Sequence, residues 1–216
     1  MEDILDLYHE PYDPEYPVVC FDEMPYQMLE DVYEPLPMKE GKSKRVDYEY
    51  KRNGTCNLFM FFQPLRGWRE VVVSERRTKA DLAVCLKKLV DGWFPEAKQI
   101  RLVCDNLNTH NPSCLYENFE VSEARRMVQK LDFRYTPKHG SWLNMAEIEL
   151  SVVSRQCLKQ RIPAIEAVQT ICSTWSEQRT QSKVSVSWSF SVEDARVKLL
   201  RLYPEVTPEE TTVPEH

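Results

Sequence analysis

Two short apolar runs that each stop on an aspartate constrain this chain most. Val18-Val19-Cys20-Phe21 runs into Asp22, and Ile100-Arg101-Leu102-Val103-Cys104 runs into Asp105. Runs of this length and composition read as buried strands. A carboxylate is costly to bury unless it is paired or holds a cation. Two of them at the carboxyl ends of central strands therefore need a reason, and open α/β sheets place their ligands at that edge. A third acid, Glu147, sits near the start of a helix-like stretch, Leu143-Asn144-Met145-Ala146-Glu147. Three such groups converging would hold divalent cations for phosphoryl transfer.

The rest of the pattern supplies a sheet and its helices. Residues 1–16 are acidic and rich in Tyr and Pro, and read as a lead-in or the end of a linker. Residues 17–22 form the first strand. Pro25, Pro35, Pro37 and Gly41 mark residues 25–44 as an irregular loop. Residues 45–51 alternate apolar and polar as a half-buried strand, and Asn53-Gly54 is a hairpin turn signal. Strands follow over 55–62, 68–74 and 99–104, with a helix capped by Thr78 between the last two. Residues 106–120 read as a polar loop with a short helix, and Ser122 caps a further helix to Leu131. A short strand at 133–135 precedes helices over 142–159, 163–178 and 192–202, with a brief strand at 188–190. A strand meander followed by βαβα units predicts an α/β fold, a mixed sheet flanked by helices. The strands carrying Asp22 and Asp105 would be neighbours in the ribonuclease-H-like arrangement.

The 216 residues suit one domain with extensions and are ample for a core. No apolar run approaches the roughly 18 residues of a membrane span, so no membrane partner is expected. The N-terminus lacks the basic start and apolar stretch of a signal peptide, which makes a cytoplasmic protein the default. Seven cysteines fall without any C-x-x-C spacing and read as buried, reduced thiols. The net charge of −6 is unevenly spread: residues 1–40 carry −11, residues 41–204 carry +9 and residues 205–216 carry −4. A basic body between acidic ends permits phosphate binding without requiring it.

Three ordered blocks point further. They are Cys20-Phe21-Asp22-Glu23, the stretch Asp105-Asn106-Leu107-Asn108-Thr109-His110, and residues 135–147, which hold Lys138-His139-Gly140-Ser141-Trp142-Leu143-Asn144 and end on Glu147. Together they resemble the catalytic domain of bacterial insertion-sequence transposases related to mariner, the DDE superfamily endonucleases with an Asp-Asp-Glu triad on a ribonuclease-H-like fold. The resemblance runs from about Met1 to Pro204, and includes Leu150-Ser151-Val152-Val153-Ser154-Arg155-Gln156 and Glu193-Asp194-Ala195-Arg196.

The resemblance implies that Asp22, Asp105 and Glu147 are the catalytic metal ligands. Helical periodicity alone does not choose the third, because Glu147 and Glu149 flank the apolar stripe of their helix almost symmetrically. The Leu-Asn-x-x-Glu block selects Glu147. Glu23 would point to the opposite face of its strand as a solvated neighbour. Asn108, His110, Lys138, His139 and Asn144 are weaker candidates for DNA contact or for support of the ligands. The family's chemistry uses two Mg²⁺ ions, with Mn²⁺ as substitute, to cut DNA at transposon ends and join it to target DNA at a TA step. Expected partners are double-stranded DNA and a second copy of the chain. The helix-turn-helix region that family members carry before the first aspartate has no room here, so the expectation is a catalytic domain alone, with that region split off as a separate helix-turn-helix polypeptide, truncated or lost. The implied setting is the cytoplasm, on the bacterial nucleoid. The competing expectation is a remnant that binds DNA or a partner without cutting. The domain layout expected is a lead-in over 1–16, the catalytic domain over 17–204 and a disordered acidic tail over 205–216.

Overall fold

A computed structural model of the chain describes residues 1–33, 48–138 and 140–203. Five strands form one sheet: β1 (Val18–Asp31), β2 (Tyr50–Gln63), β3 (Trp68–Ser74), β4 (Ile100–Cys104) and β5 (Leu131–Tyr135). Their order is β3-β2-β1-β4-β5. β1, β2 and β3 pair antiparallel, whereas β4 lies parallel to both β1 and β5. This is the mixed, ribonuclease-H-like sheet expected from the sequence, with the Asp22 and Asp105 strands side by side.

The sheet divides two apolar layers. Alternation along β1 sends Val18 and Cys20 to one layer and Val19 and Phe21 to the other. The first layer is covered by α1 (Glu2–His9), α5 (Met145–Gln156), α6 (Ile165–Gln181) and α7 (Val192–Lys198). The second is covered by α2 (Lys79–Lys88), α3 (Ser113–Asn118) and α4 (Val121–Lys130). α2 opens on a capping box between Thr78 and Asp81, as the sequence predicts. α4 starts two residues earlier than expected, with Glu120 rather than Ser122 at its N-cap position and no side-chain cap. Residues 188–190 form no strand. They lie beside the first layer, where Trp188 and Phe190 pack through their rings.

Three differences matter for the site. β1 does not stop at Asp22 but continues nine residues, to Asp31, against β2. Pro25 sits within it, opposite Asn57. β4 pairs with β1 only through Cys20, so beyond that point one side of β1 has no strand partner among the described residues, and such an edge tolerates proline. Asn53-Gly54 makes no hairpin. The pair lies inside β2, where the register slips between Gln27 and Leu29. Two residues of β2 oppose one of β1 there, and Gly54 takes φ +87°, so the glycine serves a bulge. Of the strand expected over 45–51, residues 45–47 lie outside the described residues, 48 and 49 are not in a strand, and Tyr50 and Lys51 open β2; the tail over 205–216 lies outside the described residues. Finally, the lead-in contains a helix. α1 buries Ile4, Leu5, Leu7 and Tyr8 in the first layer, a spacing of one helical face, with Glu2 and Asp3 in its first turn.

Candidate active site

Strand pairing brings the two aspartates to one edge. The β1–β4 register runs Val18↔Arg101, Val19↔Leu102 and Cys20↔Val103. Carried two residues further, it sets Asp22 opposite Asp105, just past the point where the parallel pairing ends, with β4 stopping at Cys104 and β1 running on to Asp31. Asp22 shares the parity of Cys20, which packs toward the layer containing α5. α5 supplies Glu147 in its first turn. Asp22 and Glu147 line one groove of about 460 Å³ with Met24, Ser151 and Arg155. Asp105 lines a second opening of about 610 Å³ with Thr136, Lys138 and Ser141.

The start of α5 is tied to β1 by Asn144. Its side-chain oxygen accepts from the Ala146 amide at 3.2 Å, capping the helix. Its amide nitrogen donates to the Phe21 carbonyl at 2.7 Å, one residue before Asp22. The side chain is 1% exposed, so both bonds are made away from water. The sequence placed Asn144 as a candidate for DNA contact or for support of the ligands, and its two bonds fit the second place. Tyr8 of α1 adds a prop by donating its hydroxyl proton to the Leu143 carbonyl at 2.7 Å.

The electrostatics of Asp22 are unfavourable for an empty cluster. Burial pushes its pKa up, and the charges of Asp105 and Glu147 push it further, to about 6 from 3.8. The Glu23 amide, which donates to Asp22 at 2.8 Å, and His110 oppose the rise. Repelling carboxylates beside a half-buried one are the arrangement a cation relieves. Among the described residues, no three His, Cys, Asp or Glu side chains close around one point tightly enough to enclose an ion. The donor chemistry nevertheless suits a hard divalent cation, since all three groups offer carboxylate oxygens.

His110 is fully buried and lies between two acids. Its Nδ1 meets Asp105 Oδ1, and its Nε2 lies 3.6 Å from Glu23 Oε2. The ring packs edge-on to Phe21 with centroids 5.0 Å apart. Burial works against the imidazolium, but Glu23 and Asp105 outweigh it and hold the pKa above the ordinary value. Glu23 is thus no solvated neighbour. Its side chain is 8% exposed and also reaches Arg77 at 3.5 Å. The sign was present in the sequence: Glu23 shares the parity of Phe21, so it points toward the layer that holds α2, α3 and α4.

The two glutamates of α5 are separated by environment. Glu147 is exposed on the Asp22 groove. Glu149 is 1% exposed and ion-paired with Arg69 of β3 at 2.8 Å and with Arg179 of α6 at 3.1 Å. Its carboxylate is engaged in the interior, so it is not available at the groove.

The weaker candidates fall into different places. Lys138 is exposed beside Asp105. Asn108 is exposed and takes part through its backbone, with its carbonyl accepting from Asn111 at 2.6 Å. His139 lies outside the described residues. Trp142 is 37% exposed and stacks on Trp188 at 6.1 Å, an anchor with one open side.

The fold resembles solved structures of another chain. The Mos1 mariner paired end complex with Mn superposes with a TM-score of 0.55 at 15% identity, over 85% of this chain and 55% of that one. The Mos1 transposase paired-end complex with left transposon end gives 0.55 at 13%, with the same coverage. A pre-cleavage Mos1 transpososome gives 0.53 at 13%, over 85% of this chain and 59% of that one. The chain therefore spans little more than half the length of these neighbours. No curated protein matches it. The sequence model of the DDE superfamily endonucleases matches residues 17–169, which include Asp22, Asp105 and Glu147, and the chain belongs to that family.

Proposed function

We propose that the chain is the catalytic part of a transposase, cutting DNA at transposon ends and transferring the strand into target DNA with divalent cations. The observation that carries this reading is the parallel register of β1 and β4, which ends two residues before both Asp22 and Asp105, with Glu147 on the groove beside Asp22. Mn appears in the name of one Mos1 complex and transposon ends in that of another, and both bear on this chain through a shared fold. The catalytic unit runs over 17–204, with residues 1–16 as its docked lead-in. Two copies acting on two DNA ends at TA steps complete the reading.

Asp22, Asp105 and Glu147 would hold two Mg²⁺ or Mn²⁺ ions. When bound, such ions lower the pKa of an attacking water or 3′-hydroxyl and stabilise the leaving 3′-oxygen. The chain's own groups prepare that chemistry. His110 holds Asp105 on one side and Glu23 on the other, which restricts the Asp105 carboxylate to one orientation. Asn144 sets the start of α5 against β1, and hence the distance between Glu147 and Asp22. Lys138 offers a positive charge to a phosphate entering beside Asp105.

The test is cleavage of duplex DNA by the full chain in Mn²⁺. Asp105→Asn keeps the size of the side chain and removes its charge. We expect its rate to fall by more than about a hundredfold. Unchanged cleavage in Asp105→Asn would overturn the assignment. Salt-sensitive DNA binding without cleavage in any divalent metal would favour the non-cutting remnant.

A further inference from the structure

The groove holding Asp22 and Glu147 does not end at the acids. Arg155 lines it, and Arg155 also lines a second groove with Gln156, Lys159 and Gln160. The two grooves meet at Arg155, and together they make a channel along the exposed side of α5 and the turn after it. Its charge changes sign along the way, from carboxylates at Asp22 and Glu147 to cations at Arg155 and Lys159. Both cations are exposed. Among the described residues, neither forms an ion pair with a carboxylate, and Arg155 is steered only by the Ser151 carbonyl of its own helix, at 3.2 Å. By contrast, Arg101, Arg126, Arg134 and Arg196 each face a carboxylate.

The turn carrying Lys159 is built rather than loose. Leu158 and Ile162 are buried on either side of it. The Tyr26 hydroxyl of β1 donates toward the Leu158 and Gln160 carbonyls at 3.5 and 3.1 Å. Trp175 of α6 donates its indole proton to the Gln156 side chain at 2.7 Å. These contacts hold two unpaired cations at a fixed offset from the acids. Eight residues separate Glu147 from Arg155, about 12 Å along a helix. That length matches roughly three to four nucleotides of duplex rise.

We propose that this channel seats the phosphodiester backbone of the DNA strand being cut, with Arg155 and Lys159 neutralising phosphates about three to four nucleotides and more from the scissile bond. The inference rests on the DNA-cutting reading and adds a direction to it: the strand leaves the site along α5. A ribose or base contact is not required, so the channel contributes affinity and placement without sequence preference.

The test is the salt dependence of binding to a fluorescent DNA duplex, measured by anisotropy without divalent metal, with the full chain. The Arg155→Ala/Lys159→Ala variant should lower the slope of log affinity against log salt by about two. Arg155→Lys alone should restore most of the loss at that position, because it keeps the charge. The control is Arg125→Ala/Lys183→Ala, which removes two exposed cations elsewhere on the surface. A track variant with the slope of the unaltered chain, while that chain binds and cuts DNA, overturns the channel and leaves the function standing. Equal loss in the control also overturns it, since the effect would then be one of total charge. Failure of the unaltered chain to bind DNA at all overturns both.

Discussion

Asp22 carries a carboxylate that its surroundings push toward neutrality. Its pKa stands at about 6 in the folded chain against 3.8 unperturbed, so the folded state holds the proton more tightly than the unfolded one. Stability from this group is then present at low pH and is lost as pH rises from about 4 through 6. Asp22→Asn should therefore raise the stability of the metal-free protein by about 1–3 kcal/mol above pH 6 and by little below pH 4. Thermal melts at two pH values check this, and equal gains at both would count against it. The two glutamates of α5 make a sharper contrast. Glu149→Gln breaks a buried pair with Arg69, whose own pKa burial pulls down to about 10, and should cost about 3–5 kcal/mol in denaturant unfolding. Glu147→Gln lies on an exposed surface and should leave stability within about 0.5 kcal/mol. Periodicity could not separate these residues, because both flank the same stripe. What separates them is tertiary: Arg69 and Arg179 come from β3 and α6, far from α5 in sequence. The Glu23–His110 contact was hidden for the same reason.

At the scale of elements, the ends of strands and helices carry the function. Asn144 is the N-cap of α5 and the bridge to β1. Asn144→Ala should cost about 1–2 kcal/mol as a cap, and should weaken Mn²⁺ binding about 10–100-fold by loosening Glu147 relative to Asp22. Titration calorimetry with Mn²⁺ reads the second effect, and unchanged affinity would make the residue a cap only. The helix was legible, but it was expected from 142 and starts at Met145, and the bond to Phe21 was not legible. Gly54 shows the converse. Asn-Gly between apolar runs is a strong hairpin signal, yet here it forms a bulge inside β2, because β1 continues past Asp22 and offers β2 a long partner. The prolines that marked an irregular loop misled at Pro25, where the strand has an unpaired side. Gly54→Ala should cost about 1–2 kcal/mol through the left-handed backbone alone, since the added carbon would meet nothing nearer than Met28 at 3.8 Å.

Across the whole molecule, the acidic N-terminal stretch and the basic body are one unit. Glu2 pairs with Arg196, Asp3 with Arg134, Glu10 with Arg101 and Glu15 with Lys98. Exposed pairs like these contribute little each. The apolar face of α1 contributes more, and Leu5→Ala, at a site 0% exposed, should cost about 2–5 kcal/mol. The helix escaped the sequence reading because it spans only eight residues among acids and prolines. The adjacency of β1 and β4 was legible from the ribonuclease-H-like arrangement to which the meander and the βαβα units point. Among the described residues no helix is long and apolar enough to cross a membrane. The central claim is that Asp22, Asp105 and Glu147 form one cation-dependent site that cuts DNA. The most direct test measures Mn²⁺-dependent cleavage of duplex DNA by the full chain and by Glu147→Gln, with melting temperatures recorded on the same samples. We expect cleavage by the unaltered chain and a loss of more than about a hundredfold in Glu147→Gln at an unchanged melting temperature. Equal cleavage by the two proteins would contradict it.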